Sequence, residues 1–292
     1  MRIVTPIILD MYKHNTSITK IHDELQFQGY KICCDTIRRI LKENNIRIRT
    51  AKFYNKKYEC DENVFSEYNK FSCYWAGLLA ADGCVYERKD SKNSYIILNL
   101  IDENSVCYFK EFLKYTGVIY RRIKTTKFKN SKREYEAETW EIRCLSNQMC
   151  EDLKKNFNIG PRKTCAYSPS NSIPKDLIKY FILGYLDGDG SISYYTTNTG
   201  RKHFNVTFTG TYETIRYIQN FINKKELNIW QRYPDRKTEI YTLSISGNEQ
   251  LYSILSILYS DQEINQICMK RKFDKYMLLK KQIEEKRNKA SA

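Results

Sequence analysis

The pattern of hydrophobic and polar positions repeats along most of this chain. Residues 75–83 (WAGLLAADG) and 182–190 (ILGYLDGDG) are apolar runs with a small residue in the middle, and both end in Asp-Gly. Each run is followed by two segments that alternate with a period of two, a stretch with helical spacing, two more alternating segments and a last helical stretch. Each half of the repeat therefore predicts the order helix, strand, strand, helix, strand, strand, helix.

The predicted elements of the two halves correspond one to one. Strands are expected at about 84–89, 94–101, 118–128 and 135–145 in the first half, and at about 191–196, 203–209, 228–233 and 239–246 in the second. The second helices are expected at 105–113 and 214–222, the third at about 147–157 and 248–259, and the hairpin turns at 130–132 and 234–236. Two copies of one α+β unit favour a single pseudo-symmetric body, a duplicated αββαββα fold.

Residues 1–50 are expected to form a separate, small all-α domain. Apolar residues recur at helical spacing over 18–25 and again over 37–41, with Gly29 between them. This arrangement indicates a helix-turn-helix, whose second helix enters the major groove of DNA. The alternative is a three-helix bundle that serves only for packing. The remaining boundaries are 51–70 for a basic linker, 71–165 and 166–280 for the two halves, and 281–292 for a basic tail.

Composition narrows the class of partner. The 292 residues include 49 Lys and Arg against 34 Asp and Glu, which gives a net charge of +15 and favours nucleic acid or an anionic membrane surface. No apolar stretch reaches the roughly 18 residues of a membrane span, and the first residues lack the features of a signal peptide. We therefore expect no membrane partner.

Cysteine and histidine usage argues against disulfides and zinc. Ten cysteines and three histidines occur without a C-x-x-C pair or a cluster with ligand spacing. Most of the cysteines are expected to be small buried hydrophobes in an intracellular, reducing compartment.

The repeated apolar helices carry the candidate chemistry. Gly77 and Ala81 in the first helix, like Gly184 and Gly188 in the second, are four residues apart, so that each pair lies on one helix face. Small residues at this spacing allow two helix backbones to approach closely and bring their C-terminal ends together.

Asp82 and Asp189 lie at those two ends. A carboxylate opposes the dipole at a helix C-terminus, so two of them side by side favour a divalent cation, for which Mg²⁺ is the expected choice. The alternative for either copy alone is an ordinary buried helix with a polar cap.

The two motifs resemble those of the LAGLIDADG homing endonucleases, in the single-chain form with two motifs. The resemblance covers about residues 60–280, and residues 186–190 (LDGDG) match it most specifically. It implies that Asp82 and Asp189 bind Mg²⁺ and serve phosphodiester hydrolysis, with help from the carbonyls of Ala81 and Gly188. One departure is that Asp187 has Ala80 as its counterpart in the first motif. Because this position is not the metal ligand, the change indicates asymmetry rather than loss of activity.

A basic residue near each half-site is expected to polarise the scissile phosphate or to orient the attacking water. Lys163 and Lys272 each follow the third helix of their half, at similar separations along the sequence from the motif aspartates. An Arg-Lys pair at this place also resembles the family pattern. Arg162 and Lys270 are the competing candidates. The alternative is that each lysine is one of many on a basic protein.

Further basic and polar residues are candidate DNA contacts. In the helix-turn-helix and the segment after it they are Arg38, Arg39, Lys42, Arg47 and Arg49. In the hairpins they are Arg122, Lys124, Gln231, Arg232, Arg236 and Lys237. The sequence does not settle which hairpin residues face DNA, and about half are expected to contact phosphate or solvent rather than bases.

The combined expectation is a monomeric, site-specific endonuclease that cuts both strands of a DNA duplex across the minor groove and leaves short 3′ overhangs, as the resemblance implies. One alternative is a maturase, which has the same fold but binds intron RNA and assists splicing. Another is a DNA-binding regulator that has lost the chemistry. No segments like those of inteins flank the repeats, so that a free-standing protein is expected.

Overall fold

The computed structural model describes residues 4–14, 16–48, 58–87, 93–127, 134–163, 166–223, 227–232 and 239–290. By its internal contacts the chain divides into two compact units, Met1–Tyr58 and Glu59–Ala292. Several predicted features lie outside the described residues: Arg49, Arg236, Lys237, both hairpin turns and residues 51–57 of the basic linker.

The described part of the N-terminal unit contains the helices α1 (Val4–Lys13), α2 (Ile18–Phe27) and α3 (Cys34–Glu43). The hydroxyl of Ser17 accepts a hydrogen bond from the Lys20 amide at 3.2 Å and so caps α2. Gly29 follows with φ at +86°, a left-handed conformation that ends this helix and begins the turn to α3. The apolar residues at helical spacing, together with those of α1, form the core of the unit.

The second unit contains the predicted repeat. The first half comprises α4 (Lys70–Ala81), β1 (Gly83–Glu87), β2 (Ser94–Leu100), α5 (Glu103–Phe112), β3 (Tyr120–Lys127), β4 (Glu134–Leu145) and α6 (Asn147–Phe157). The second comprises α7 (Ile178–Asp187), β5 (Gly190–Thr196), β6 (Lys202–Gly210), α8 (Tyr212–Phe221), β7 (Ile229–Gln231), β8 (Tyr241–Ser246) and α9 (Asn248–Leu258). The predicted α+β order is thus confirmed in both halves.

Each half builds one four-stranded antiparallel sheet with the same topology. The strand order is β1-β2-β4-β3 in the first sheet and β5-β6-β8-β7 in the second. Alternate residues of the central strands, such as Ile96 and Leu98 in β2 and Phe204 and Val206 in β6, are fully or almost fully buried. Because successive side chains of a strand point to opposite faces, each sheet has one face in the core and one open face.

Two further helices follow the second half, α10 (Gln262–Ile267) and α11 (Lys270–Ala290). The segment expected to be a basic tail continues α11, with Leu279 and Ile283 buried along it.

The start of α4 is fixed by a capping box. The side chain of Asn69 accepts hydrogen bonds from the amides of Phe71 and Ser72, and the Ser72 hydroxyl accepts one from the Asn69 amide. This reciprocal pair sets where the helix begins, and the helix ends 12 residues later at Ala81, directly before Asp82.

Candidate active site

The two motif helices cross in direct backbone contact. A Cβ atom placed on Gly77 would lie 2.0 Å from the carbonyl oxygen of Phe181, and one on Gly184 would lie 1.9 Å from that of Tyr74. Only glycine allows this approach at either position, because the atoms it faces are backbone atoms of the partner helix. The close contact predicted from the small residues is therefore present, and it is centred on these two glycines.

The C-terminal ends of α4 and α7 meet at the same place. A Cβ on Gly188 would lie 2.3 Å from the Ala81 Cβ and 3.2 Å from Oδ2 of Asp82. The Asp82 amide still donates to the Leu78 carbonyl at 2.9 Å, so that the carboxylate is fixed to the last turn of its helix. Asp82 and Asp189 both keep accessible surface at this junction, although neighbouring atoms exclude part of the water around their carboxylates.

The surroundings of the two aspartates disfavour their negative charge. Loss of surrounding water raises the pKa of Asp189, and the nearby Asp82 raises it further. Loss of surrounding water also raises the pKa of Asp82. Lys272 and Lys163 act in the opposite direction on both carboxylates but do not outweigh it. Burial therefore outweighs the effect of the two lysines on both carboxylates.

Lys163 reaches this junction from the turn after α6. Its Nζ donates hydrogen bonds to the carbonyls of Ala80 at 2.7 Å and Ala81 at 3.1 Å, the last two residues of α4. These carbonyls have no partner within the helix, so the lysine satisfies them. Burial lowers the pKa of Lys163, and the negative charges of Asp189 and Asp82 oppose that shift.

Lys272 occupies the equivalent place in the second half. It is 2% exposed, and its Nζ donates to the carbonyls of Leu186 and Asp187 at 2.6 Å, of Gly190 at 2.7 Å and of Gly188 at 3.3 Å. Burial lowers the pKa of Lys272 to about 8. Both lysines predicted from the repeat thus bind the ends of the motif helices.

The competing basic residues lie elsewhere. Lys270 is exposed and pairs with Asp274 at 3.2 Å, one turn along its own helix. Arg162 is exposed as well, with φ at +59°.

A buried aspartate beside Lys272 is a feature that sequence reasoning did not interpret as part of the site. Oδ2 of Asp187 accepts hydrogen bonds from the Tyr74 hydroxyl at 2.8 Å and from the Met269 amide at 2.9 Å. Burial raises the pKa of this carboxyl. The sequence does contain a signal for it, because the two motifs differ at two equivalent positions. Tyr74 corresponds to Phe181, and Asp187 corresponds to Ala80.

The donor set at the junction suits a hard divalent cation. Within the described residues no group of three or more His, Cys, Asp or Glu side chains is placed to hold a metal, so the ligands have to include main-chain carbonyls and water beside the two carboxylates. Mg²⁺ commonly binds in this way, with one or two carboxylates and several waters. The Ala81 carbonyl accepts a hydrogen bond from Lys163 at 3.1 Å, and the Gly188 carbonyl accepts one from Lys272 at 3.3 Å. Because a carbonyl oxygen has two lone pairs, each of these oxygens can also bind a cation. The residues therefore fit Mg²⁺.

The open face of the first sheet carries a charged cluster around Glu141. This side chain is largely buried, and its carboxylate accepts hydrogen bonds from Arg122 at 2.9 Å, from Asn99 at 3.3 Å and from Arg143. Burial alone would raise the pKa of Glu141, but the hydrogen bonds of Arg143 and Asn99 outweigh it and the pKa is lowered. Lys124 lies two residues after Arg122 on β3, opposite Ala137 in the register.

Among the described residues of the second sheet, the open face carries polar and aromatic side chains rather than a charged cluster. Asn205 and Ser244 are hydrogen-bonded across the strands at 2.9 Å, and Trp230, which is 55% exposed, pairs in register with Thr242 beside them. Gln231 pairs in register with Tyr241. Its side chain lies on the same face of β7 as that of Ile229, opposite to Trp230, and it is exposed because it stands at the end of the strand. Arg232 follows with an exposed side chain. Trp230 was not among the predicted contacts.

The candidate contacts of the N-terminal unit lie on the surface of α3 and just after it. Arg38, Arg39 and Lys42 are exposed, and so is Arg47. Arg38 pairs with Asp35 at 2.5 Å and Arg39 with Glu43 at 3.9 Å along the helix.

Other expectations concern the chain as a whole. Of the nine described cysteines, four are buried (Cys73, Cys144, Cys150 and Cys268), three are half-buried (Cys34, Cys60 and Cys107) and two are exposed (Cys33 and Cys84), so the expectation that most are buried is wrong. Across the described ranges, no helix combines the length and the apolar character that crossing a membrane requires.

Comparison with known sequences finds limited similarity. No model of a known protein family matches the chain. A curated relative, the probable translation initiation factor IF-2 of Methanocaldococcus jannaschii, is 25% identical over 259 residues, which cover 82% of this chain. The chain spans only 20% of the length of that protein.

Comparison with solved structures finds LAGLIDADG homing endonucleases, the family that the two motifs resemble. I-LtrWI bound to its target DNA is 13% identical with a TM-score of 0.46, over 75% of this chain and 92% of that one. I-CpaMI bound to uncleaved DNA is 11% identical with a TM-score of 0.47, over 76% and 93% of the two chains. I-SmaMI bound to DNA is 13% identical with a TM-score of 0.47, over 74% and 91%.

Proposed function

We propose that this chain is a site-specific endonuclease of the LAGLIDADG type, which cuts both strands of a DNA duplex at a site built on Asp82 and Asp189. The observation that carries the proposal is the contact of α4 and α7 at Gly77 and Gly184, because it places two equivalent carboxylates at one junction. Each helix end also holds a lysine on its last carbonyls. Two equivalent half-sites match the two strands of a duplex.

The chemistry in each half-site is hydrolysis of one phosphodiester. Asp82 and Asp189, with the carbonyls of Ala81 and Gly188, would hold Mg²⁺. When bound, the ion would supply positive charge next to the scissile phosphate and would lower the pKa of the attacking water. A P–O bond to the water oxygen forms, the bond to the leaving sugar oxygen breaks, and the water's proton balances the charge of the leaving oxygen. Short 3′ overhangs are the expected product.

Lys163 and Lys272 act as cations in this scheme. Each Nζ donates to two or more carbonyls, an arrangement that suits an ammonium group, which has three N–H donors and no acceptor. Placed beside the two aspartates, they stabilise the additional negative charge that a phosphate acquires as it is attacked.

The open faces of the two sheets and the N-terminal unit bind the duplex. Arg122 and Arg143 are held in place by Glu141 on the first sheet, and an arginine with fixed orientation can read guanine in the major groove. Trp230 and the neighbouring hydroxyl groups on the second sheet offer apolar contact and hydrogen bonds. Arg38, Arg39 and Lys42 on α3, with Arg47, lengthen the recognised site. A single chain contains both half-sites, so that it acts as a monomer. The compartment that we propose for it is intracellular.

A cleavage selection tests the proposal. A randomised DNA library is incubated with the protein and Mg²⁺, the new ends are sequenced, and the Asp82→Asn/Asp189→Asn protein serves as the control. Discrete cut sites that disappear in the control support the endonuclease and reveal its target. Specific binding without cleavage supports the inactive regulator instead, and splicing of an intron RNA that survives both substitutions supports the maturase.

A further inference from the structure

Two positions inside the helix pair break the symmetry of the candidate site. Tyr74 on α4 and Asp187 on α7 form a buried hydrogen bond of 2.8 Å. Their counterparts in the other half, Phe181 and Ala80, are both apolar and buried. Both members of the hydrogen-bonding pair therefore differ from their counterparts, and the pair joins the two halves beside Lys272.

Asp187 joins the end of α7 to the start of α11 through two separate contacts. Its main-chain carbonyl accepts a hydrogen bond from Nζ of Lys272 at 2.6 Å, and its carboxylate accepts one from the amide of Met269 at 2.9 Å. The carbonyl of Met269 in turn accepts from the amides of Lys272 at 2.9 Å and Phe273 at 3.1 Å. Met269 thus lies directly before α11, which begins at Lys270, and Lys272 lies in the first turn of that helix.

These contacts close a ring from Asp187 to Met269, to Lys272 and back to Asp187. The first amides of a helix have no partner within it, so a carboxylate that accepts from one of them fixes the position of the helix start. Hydrogen bonds to a carboxylate are stronger than those between neutral groups. The Tyr74 hydroxyl donates to the same Oδ2 atom, whereas Oδ1 is buried with no hydrogen-bond partner among the described residues.

The first half has no equivalent of this ring in the part of the chain that the structure describes. Lys163 lies in a turn and its Nζ bonds two carbonyls, whereas Nζ of Lys272 bonds four. The methyl group of Ala80 cannot accept a hydrogen bond, and the ring of Phe181 cannot donate one. Lys163 is also less deeply buried than Lys272.

We propose that Asp187 is a positioning residue for Lys272, and that Tyr74, from the other half of the repeat, supports it. The inference rests on the proposed endonuclease function and adds a specific consequence. Loss of either side chain slows the cleavage of only one DNA strand, the strand that depends on Lys272.

The test measures the cleavage of each strand separately. The substrate is a duplex containing the site recovered from the library selection, with a different label on each strand, and enzyme is in excess so that single turnovers are observed. Lys272→Met first identifies the strand that depends on Lys272. Tyr74→Phe, Asp187→Ala and the double variant are then compared with the wild type on both strands.

The double variant Tyr74→Phe/Asp187→Ala is the decisive protein. It replaces both residues by those at the corresponding positions of the other motif, Phe181 and Ala80, which are both buried, so that it is expected to fold. Its rate on the Lys272 strand should fall about tenfold or more, because a small misplacement of a catalytic group has large effects on rate. Its rate on the other strand should stay within about twofold of the wild type.

Tyr180→Phe is the matched control. It also removes the hydroxyl group of a largely buried tyrosine. That hydroxyl donates a hydrogen bond to Asp261 at 3.0 Å, a contact in which neither Lys163 nor Lys272 takes part, so that its loss should not slow one strand more than the other. Equal slowing of both strands by the double variant, or no slowing of either, overturns the positioning role. If the wild type itself cuts neither strand of any DNA in the library, the proposed function fails and the inference fails with it.

Discussion

Gly77 and Gly184 are the points at which α4 and α7 touch, and each faces a main-chain carbonyl of the other helix. A Cβ atom would lie 2.0 Å from the facing oxygen at Gly77 and 1.9 Å from it at Gly184, far below any normal contact. This relationship determines how close the helix ends can come, and therefore how close Asp82 and Asp189 lie.

Gly184→Ala should destabilise the protein and stop cleavage together. The added methyl group can be accommodated only if the helices separate, which costs about 3 kcal/mol or more at a tightly packed site. Thermal unfolding followed by circular dichroism measures the stability, and plasmid cleavage measures the activity. Gly160→Ala is the control, since the nearest atom to its added methyl group would be the Lys154 Cγ at 4.0 Å. A Gly184→Ala protein with normal stability and normal cleavage would contradict the assigned helix contact.

Asp189→Asn should stabilise the metal-free protein at neutral pH while removing its response to Mg²⁺. The carboxylate lies beside Asp82 at the C-terminal end of a helix, and such a charge typically costs about 0.3–1 kcal/mol. Because the folded state raises the pKa of Asp189, the cost is fully present above that raised pKa, shrinks as the pH falls through it and is gone only below the ordinary pKa of the carboxyl. The gain in melting temperature in EDTA should therefore shrink on acidification.

The Mg²⁺ response gives a second measurement on the same protein. The melting temperature of the wild type should rise with Mg²⁺ concentration, since a ligand that binds only the folded state stabilises it. The exposed Asp176→Asn substitution should leave both the EDTA and the Mg²⁺ melting temperatures unchanged. A wild-type melting temperature that is the same with and without Mg²⁺ would count against the metal site.

The sequence predicted those parts of the fold that follow from local periodicity. The repeated order of helices and strands is visible because each element buries one face, and the paired Gly and Asp positions repeat with it. The choice between Lys270 and Lys272 could not be made from spacing. It depends on where α11 begins, and that point is set by the bond from the Met269 amide to Asp187, a contact between residues 82 positions apart.

The open faces of the sheets were equally hard to predict. A shift of one residue moves a strand side chain to the other face, and the short strand β7 has only three residues to define its register. The structure pairs Trp230 with Thr242 on the open face and gives Gln231 the opposite side, whereas the sequence had offered Gln231 as the contact.

Arg143→Ala should weaken binding to the selected target much more than binding to unrelated DNA. Glu141 holds the Arg143 guanidinium on the open face, and an arginine that reads guanine contributes about 1–3 kcal/mol of discrimination. Titrations with the target and with a scrambled duplex at equal salt measure both affinities.

Lys155→Ala is the control for lost charge. Lys155 is exposed on α6, on the helix-covered side of the same sheet, and its loss should affect neither duplex. Equal weakening on both duplexes by Arg143→Ala would identify a phosphate contact rather than base recognition.

The pH dependence of cleavage distinguishes the two roles that Lys272 can have. Burial lowers its pKa to about 8, so that the group loses its proton within the range in which the protein can be assayed. A lysine that acts as a cation becomes ineffective as the pH rises through this value, whereas one that accepts a proton from water becomes effective. The four carbonyls around Nζ favour the charged form, and the rate on the Lys272 strand should therefore fall as the pH rises through about 8.

Lys272→Arg provides the internal comparison, because arginine keeps its charge at every pH of the assay. Whatever rate this variant retains on the Lys272 strand should no longer fall near pH 8, although its longer side chain lowers the rate overall. Single-turnover rates with saturating Mg²⁺ between about pH 6.5 and about pH 9.5 give the profile. A wild-type rate that instead increases to a plateau above about pH 8 would show that the neutral amine acts as a base.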